Sequence, residues 1–257
     1  MVVIITRARV ANMKRLKLMI TSVFALAFIG AVSLAPTSSA LEGKAYIGGG
    51  SGIKFGAGIN GACTLTTIGN DSNGDLVGIT AGHCPDAAKN IYNDPNYANV
   101  TGENDPDAGV IGEVVYYKFS GGFANYNDPA NRDYAVIKFD KTKVVPLKTV
   151  GRTTIYGIAT QNPSWMSNVC KEGRSSAQTC GIVTGVNQYV VKSFAYAITG
   201  DSGAPLVNAS DGKLVGYVQG SEGIPYLSAT KSLAIRPMLS DINSRGGVGA
   251  GFVPVQQ

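Results

Sequence analysis

Short apolar runs separated by turn residues dominate the chain after its first forty residues. ACTLTTIG (62–69) is apolar and β-branched, NDSNGD (70–75) is turn composition, and LVGIT (76–80) returns, which predicts a hairpin. Asn73-Gly74 suits the positive φ such a turn needs. Asp71, Asn73 and Asp75 also suggest a calcium loop, but no acidic residue closes it at the right distance. Residues 88–132 read as loop-rich, with NDPN, NDPD, SGG and NDPAN around one strand, GVIGEVVYYKF. DYAVIKF (133–139) is a strand led by an acid, and KTKVVPLKTVGR (141–152) reads as a connector between halves. Further strands are predicted near GIVTGV, YVVKSF, APLV and KLVGYVQG. IRPMLSDINSRGG (235–247) reads as one short helix, with Pro237 in its first turn, Leu239 and Ile242 on one face, and two glycines to end it. Many short strands with almost no helix imply an all-β barrel or sandwich architecture.

The N-terminus follows a different pattern. Arg7, Arg9, Lys14, Arg15 and Lys17 precede an apolar run from Leu18 to Leu34, and small residues end at Ser38-Ser39-Ala40. That is the pattern of a signal peptide over residues 1–40, cleaved after Ala40. The run is short for a membrane span, so the mature chain is expected to be secreted, free of the membrane or associated with the cell envelope. Five of the 22 basic residues sit in this stretch and none of the 17 acidic ones, so residues 41–257 carry 17 of each. A neutral mature chain speaks against nucleic acid or anionic lipid as a partner.

Four cysteines in an exported chain imply two disulfides. Three pairings are possible; the local one joins Cys63 to Cys84 and Cys170 to Cys180. One histidine and four scattered cysteines do not have zinc-ligand spacing, so no metal and no cofactor are expected.

That single histidine, His83, lies in TAGHC (80–84). Asp133 leads DYAVI, and Ser202 lies between glycines in TGDSGAP (199–205). A serine hydroxyl is a weak nucleophile until a base takes its proton. Histidine suits that base, a buried carboxylate fixes its tautomer, and backbone amides can stabilise an oxyanion. Each motif alone has an ordinary structural explanation; the three together are a constellation for acyl transfer.

TAGHC, DYAVI and GDSGAP, in that order, resemble the three signature segments of the chymotrypsin-fold serine proteases. VCKEGRSSAQTCG (169–181) resembles the disulfide-closed loop of the bacterial alpha-lytic and streptogrisin-like branch, and KLVGYVQG resembles the strand lining the substrate cleft. The resemblance spans most of residues 60–235. It implies two six-stranded antiparallel Greek-key β-barrels packed together, one over 41–145 carrying His83 and Asp133 and one over 146–257 carrying Ser202, with a short C-terminal helix. It implies a monomeric serine endopeptidase acting on protein or peptide substrates. Ser202 would be the nucleophile, His83 the base, Asp133 the orienting acid, and Gly200 and Ser202 the oxyanion-hole donors. Tyr196, Thr199, Gln219, Gly220 and Ser221 would meet the substrate. Lys171 matches a basic residue that pairs with the acid before the serine, here Asp201.

Four departures stand out. Tyr196 occupies the position of an aspartate that binds basic side chains in trypsin-like members, so Arg or Lys specificity is not expected. The glutamate-specific members use a second histidine that this chain lacks. Gln219 replaces a serine that usually helps hold the triad aspartate, so weaker support of Asp133 and an altered pocket are expected. About twenty residues separate Ala40 from the first motif strand, too few for the long pro-region of the bacterial relatives. These departures leave a second reading, a catalytically weak or inactive homologue acting as an extracellular binding or adhesion protein. An α/β-hydrolase esterase is excluded by motif order, since those place the serine first.

Overall fold

The computed structural model describes residues 43–57, 61–119, 132–221 and 229–256, all within one compact unit. The expected leader over 1–40 and the turn readings at 120–131 lie outside the described residues.

The first half holds β1 (Ala45–Gly48), β2 (Gly52–Phe55), β3 (Ala62–Thr64), β4 (Thr67–Asn70) and β5 (Leu76–Thr80). Helix α1 (His83–Asn90) follows, then β6 (Asn99–Gly102), β7 (Val110–Lys118), β8 (Tyr134–Phe139), β9 (Val144–Leu147), β10 (Thr149–Val150) and β11 (Thr153–Thr154). The second half holds β12 (Asn168–Gly173), β13 (Ala177–Val186), β14 (Val190–Ser193), β15 (Pro205–Asn208), β16 (Leu214–Ser221) and β17 (Thr230–Ala234). Helix α2 (Ile235–Arg245) and β18 (Val253–Pro254) complete the chain.

Strands β12 to β17 form a closed barrel in the order β12-β13-β14-β17-β16-β15. The first half differs in detail from a six-stranded barrel. It is an eight-stranded sheet in the order β18-β4-β5-β8-β7-β6-β2-β3, with β1 paired in parallel to β9 outside it. Its curl is set by the chain itself. β3 is one edge and β4 lies one strand in from the other, yet only Leu65 and Thr66 separate them. The Thr66 amide bonds the Ile79 carbonyl at 2.8 Å and the Leu65 amide bonds Ser51 at 2.9 Å, so the single predicted strand over 62–69 breaks where it crosses between neighbours.

The alternation of the strands buries Ile53, Leu65, Ile79, Ile111 and Ile137 in the first core, and Val169, Val183, Val191, Leu206 and Val215 in the second. The 70–75 turn is built on Asp71. Its Oδ1 accepts the Asn73 and Asp75 amides at 2.9 Å each, and its Oδ2 accepts the Gly249 amide at 2.9 Å. The carboxylate is thus engaged as a turn acceptor that ties the hairpin to the C-terminal segment.

Helix α1 is absent from the sequence pattern. It spans eight residues, Gly82 supplies no side-chain cap, and Pro85 in the first turn costs no hydrogen bond. So short a segment shows no helical periodicity. Helix α2 matches its predicted span and ends at Gly246, whose φ of +72° a glycine adopts without strain.

Candidate active site

β5 delivers the chain to Ala81 and Gly82, and His83 opens α1 directly beyond. A Cβ at Gly82 would collide with the carbonyls of Lys118 and Tyr134, so β7 and β8 approach the turn as only glycine allows. Cys63–Cys84 pins the start of α1 to β3. Closing a loop of 21 residues contributes about 3 kcal/mol on the chain-entropy account.

Asp133, wholly buried before β8, grips His83 twice. Oδ1 accepts the His83 amide at 2.8 Å, and Oδ2 lies 2.8 Å from Nδ1. With Nδ1–H donating to the carboxylate, Nε2 is the basic nitrogen of the neutral ring. The His83 side chain is only 14% exposed. Burial pulls its pKa down, but the Asp133 charge and hydrogen bond outweigh this and hold it above the ordinary imidazole value. Burial alone would raise Asp133; the His83 charge, the His83 bonds and Gln219 reverse this and keep the carboxyl below its usual range.

β16 supports the same carboxylate. Gln219 Nε2 donates to Asp133 Oδ2 at 3.0 Å, and the Tyr217 hydroxyl donates to the Asp133 carbonyl at 2.8 Å. The expected loss of support at position 219 is therefore corrected. The longer glutamine side chain, at a point where the β16–β17 register shifts, delivers an N–H donor to the acid.

Ser202 is half-buried on the loop before β15. The Thr64 amide donates to the Ser202 carbonyl at 2.8 Å, Thr64 Oγ1 to the Gly200 carbonyl at 2.9 Å, and Thr66 Oγ1 to the Gly203 carbonyl at 2.6 Å. A Cβ at Gly203 would collide with the Thr64 carbonyl and the Thr80 hydroxyl, and would lie 3.2 Å from the Ala81 amide. The serine loop is therefore pressed against the turn that leads into His83. It also bonds β16, since the Gly203 amide donates to Val218 at 2.8 Å. Val218 precedes Gln219, so one network runs from the serine loop through β16 to Asp133 and His83.

The loop's shape is set from beneath by Asp201. Oδ1 accepts the Ser175 and Ser176 amides at 3.0 and 3.2 Å, and Oδ2 accepts the Ile198 amide at 3.0 Å and the Ser176 hydroxyl. Lys171 Nζ lies 3.1 Å from Oδ2, with neither side chain exposed. Nζ also donates to the Ala177 carbonyl at 2.9 Å and to Ser176 Oγ. Burial lowers the Lys171 pKa against the opposing pull of Asp201. Lys171 is placed by β12 beside Cys170, which Cys180 clamps directly across the β12–β13 pair. In this frame Gly200 takes a φ of +97°. Among the described residues, neither the Gly200 nor the Ser202 amide donates to any group, while those of Asp201, Gly203 and Ala204 are all spent. Two free donors on one rigid loop are what an oxyanion requires.

The residues assigned to substrate contact are less closely gathered. Thr199 and Ser221 are exposed, Gly220 is half-buried on β16, and residues 222–228 lie outside the described set. The Tyr196 carbonyl accepts from Thr179 Oγ1 at 2.8 Å, and its ring lies 5.9 Å from Lys171 Nζ. Cys63, Cys84 and His83 cluster closely, but both sulfurs are consumed in the disulfide and offer no thiolate to a metal.

Residues 61–216, more than half of the chain, match the model of the trypsin-like peptidase domain. The chain belongs to the trypsin-like peptidase family. Solved structures agree on the fold. Over 77% of this trypsin-like chain and 97% of its own length, the Nocardiopsis protease superposes with a TM-score of 0.55 at 21% identity. Thermobifida fusca protease A covers 77% of this chain and 96% of its own, with a TM-score of 0.52 at 20% identity. The alpha-lytic protease homologue N4 covers 77% and 97%, with a TM-score of 0.54 at 20% identity. These are bacterial chymotrypsin-fold proteases, and this family member has their two-barrel fold with its C-terminal helix. No curated protein sequence matches it.

Several supports of the site were not legible in the sequence. Arg174 donates its amide to Thr64 Oγ1 at 3.1 Å, and its guanidinium grips Glu103 with Nε to Oε2 at 2.5 Å and Nη2 to Oε1. A Cβ at Gly200 would collide with Arg174 and Ser175, so this cross-sheet ion pair backs the serine loop. Arg174 and Glu103 are 71 residues apart, and no local pattern links them.

Proposed function

We propose that the chain is a secreted serine endopeptidase in which Ser202, His83 and Asp133 act as nucleophile, base and orienting acid. The observation that carries this reading is the double grip of Asp133 on His83, which presents Nε2 as the base. His83 takes the Ser202 proton as Oγ bonds the substrate's carbonyl carbon, and the carbonyl oxygen becomes an oxyanion facing the Gly200 and Ser202 amides. His83 then returns the proton to the leaving amine as the C–N bond breaks, leaving an acyl-enzyme. Water hydrolyses the ester by the same steps, releasing the acid and restoring Ser202.

His83 and Asp133 belong to the proposed N-terminal barrel over 41–145, and Ser202 to the proposed C-terminal barrel over 146–257. The leader pattern of residues 1–40 and the two disulfides support export. Among the described residues no helix is long and apolar enough to cross a membrane. One relative of the same fold is described as a glutamic-acid-specific protease that uses a histidine triad in substrate binding. His83 is the only histidine here, so that route is closed and a protein or peptide substrate with a neutral side chain at the cleaved bond fits best.

The test is intact-mass analysis after exposure to a fluorophosphonate. One adduct per chain is expected, absent from Ser202→Ala. Because only neutral His83 can accept the proton, the labelling rate should rise with pH through a midpoint above the ordinary imidazole value. No adduct on folded, disulfide-bonded protein, or a rate flat in pH, would sink the assignment.

Gln219 supports the reading because it does for Asp133 what the usual serine does. Gln219→Leu removes that donor and should lower kcat about 10- to 100-fold, the equivalent of one lost charge-assisted hydrogen bond, with little change in KM. Unchanged kcat would show the contact to be incidental. The binding-protein reading loses its main ground once Gln219 holds the acid.

A further inference from the structure

The chain has one tryptophan, and it is not in a core. Trp165 is 67% exposed and its neighbour Met166 is 50% exposed, although side chains of this kind are ordinarily well covered. They are the two central residues of a turn in which the Ser167 amide donates to the Ser164 carbonyl at 3.1 Å. Met166 takes a φ of +65°, a left-handed conformation that bulky residues avoid and glycine usually fills. The strained turn is nevertheless tightly held. Pro163 is buried before it, the Ser167 hydroxyl donates to the Ser164 carbonyl at 2.6 Å, and the Met166 amide donates to the Val183 carbonyl on β13 at 2.9 Å. A backbone outlier fixed in this way, with two large apolar side chains at its tip, is a feature of a contact surface.

The ends of the same turn, Ser164 and Ser167, line a groove of about 450 Å³ together with Gln161, Asn168, Asn208 and Ser210. The side chains of Gln161, Asn168, Asn208 and Ser210 make no hydrogen bond, and neither does the Trp165 indole N–H. Each side-chain amide or hydroxyl can both donate and accept, which matches the mixed donor and acceptor character of sugar hydroxyls. An indole face packs against the C–H face of a sugar ring, and a tryptophan on a pinned turn loses little freedom on doing so. The groove lies at the far end of the barrel from the serine loop. Ser202 precedes the start of β15 and Asn208 ends it, where it pairs with Val169 near the start of β12. A polymer in the groove therefore leaves the serine loop uncovered.

We propose that the Trp165 turn and the adjoining groove bind a neutral polysaccharide, with the indole stacked on a sugar ring and the amide and hydroxyl side chains bonding its hydroxyls. The site would hold the protein to a glycan surface. It is separate from the proposed catalytic chemistry and does not depend on it.

Co-sedimentation of the purified protein with insoluble cellulose, chitin and amylose tests this. The Ser202→Ala protein serves as the host, so that proteolysis does not enter the readout. Saturable retention on at least one polymer is expected. The soluble hexasaccharide of that polymer should then shift the intrinsic fluorescence, which reports on Trp165 alone because the chain has no other tryptophan. Trp165→Ala should weaken retention about tenfold or more, and Trp165→Phe should recover part of it. The exposed turn makes few core contacts, so thermal stability should be unaffected by either variant. Tyr92→Ala, which removes an exposed aromatic from the first half, should bind as before. No retention on any of the three polymers, equal retention of Trp165→Ala, or a fluorescence shift with phosphatidylcholine vesicles in place of the sugars overturns the proposal.

Discussion

Replacing Ser202 with alanine is expected to lower kcat for peptide hydrolysis by about 10⁴- to 10⁶-fold while leaving the fold intact. The side chain is small and half-buried, and the loop is held through backbone atoms. Thr64 holds the Ser202 carbonyl and the Gly200 carbonyl, and Val218 holds the Gly203 amide. None of these contacts involves the serine hydroxyl, so thermal stability should change little. His83→Ala should cost about as much, and the double variant hardly more than either, because nucleophile and base act as one unit. Asp133→Asn should fall between, since it leaves the ring in place but reverses the bond that fixes the tautomer. Steady-state rates on a peptide ester and a peptide amide, with circular dichroism as the control for folding, check the series. Additive losses in the double variant would mean that Ser202 and His83 serve separate roles, and the proposed mechanism would fail.

The second large effect concerns a pair that touches no substrate. Lys171→Met leaves the Asp201 carboxylate wholly buried without its countercharge. Breaking a buried pair from one side costs about 3–5 kcal/mol, because the remaining charge stays desolvated. The remaining donors to Asp201, from Ser175, Ser176 and Ile198, are neutral and offset only part of this. Urea denaturation should show the loss directly, and hydrolysis should fall further than stability alone explains. Asp201 sits between the two free amides of Gly200 and Ser202, so a shift of its carboxylate moves both donors. The double variant Lys171→Met/Asp201→Leu separates the effects. It removes both charges and should recover part of the stability, while activity stays low because the loop has lost its anchor. Recovery of both together would show that the pair only balances charge. An unchanged midpoint for Lys171→Met would remove the pair from any account of the loop.

Much of the architecture was readable because its signals are local. LVGIT, DYAVIKF and KLVGYVQG combine β-branched content with turn boundaries, and they form β5, β8 and most of β16. IRPMLSDINSR has helical spacing and a glycine stop, and it forms α2. Helix α1 escaped because eight uncapped residues carry no period and the tertiary frame supplies its stability. The single run ACTLTTIG splits into β3 and β4 because the strand changes neighbours at Leu65 and Thr66, which composition does not reveal.

The candidate site divides in the same way. His83, Asp133 and Ser202 are conspicuous in the sequence because each chemical type sits in a short motif, and their order excludes the α/β-hydrolase arrangement. Spacing by itself does not say that Asp133 binds both the amide and the ring of His83. Gln219, read as a defect by its residue type, is a donor to Asp133 because β16 brings it there from 86 positions away. Arg174 and Glu103, and the threonines that seat the serine loop, are ordinary residues whose work is assigned by packing across the two halves. Residue chemistry and local periodicity determine which elements form and which side chains can react. Which of them meet, at what distance and in what electrostatic setting, is decided by long-range hydrogen bonds and burial that exist only once the chain has closed on itself.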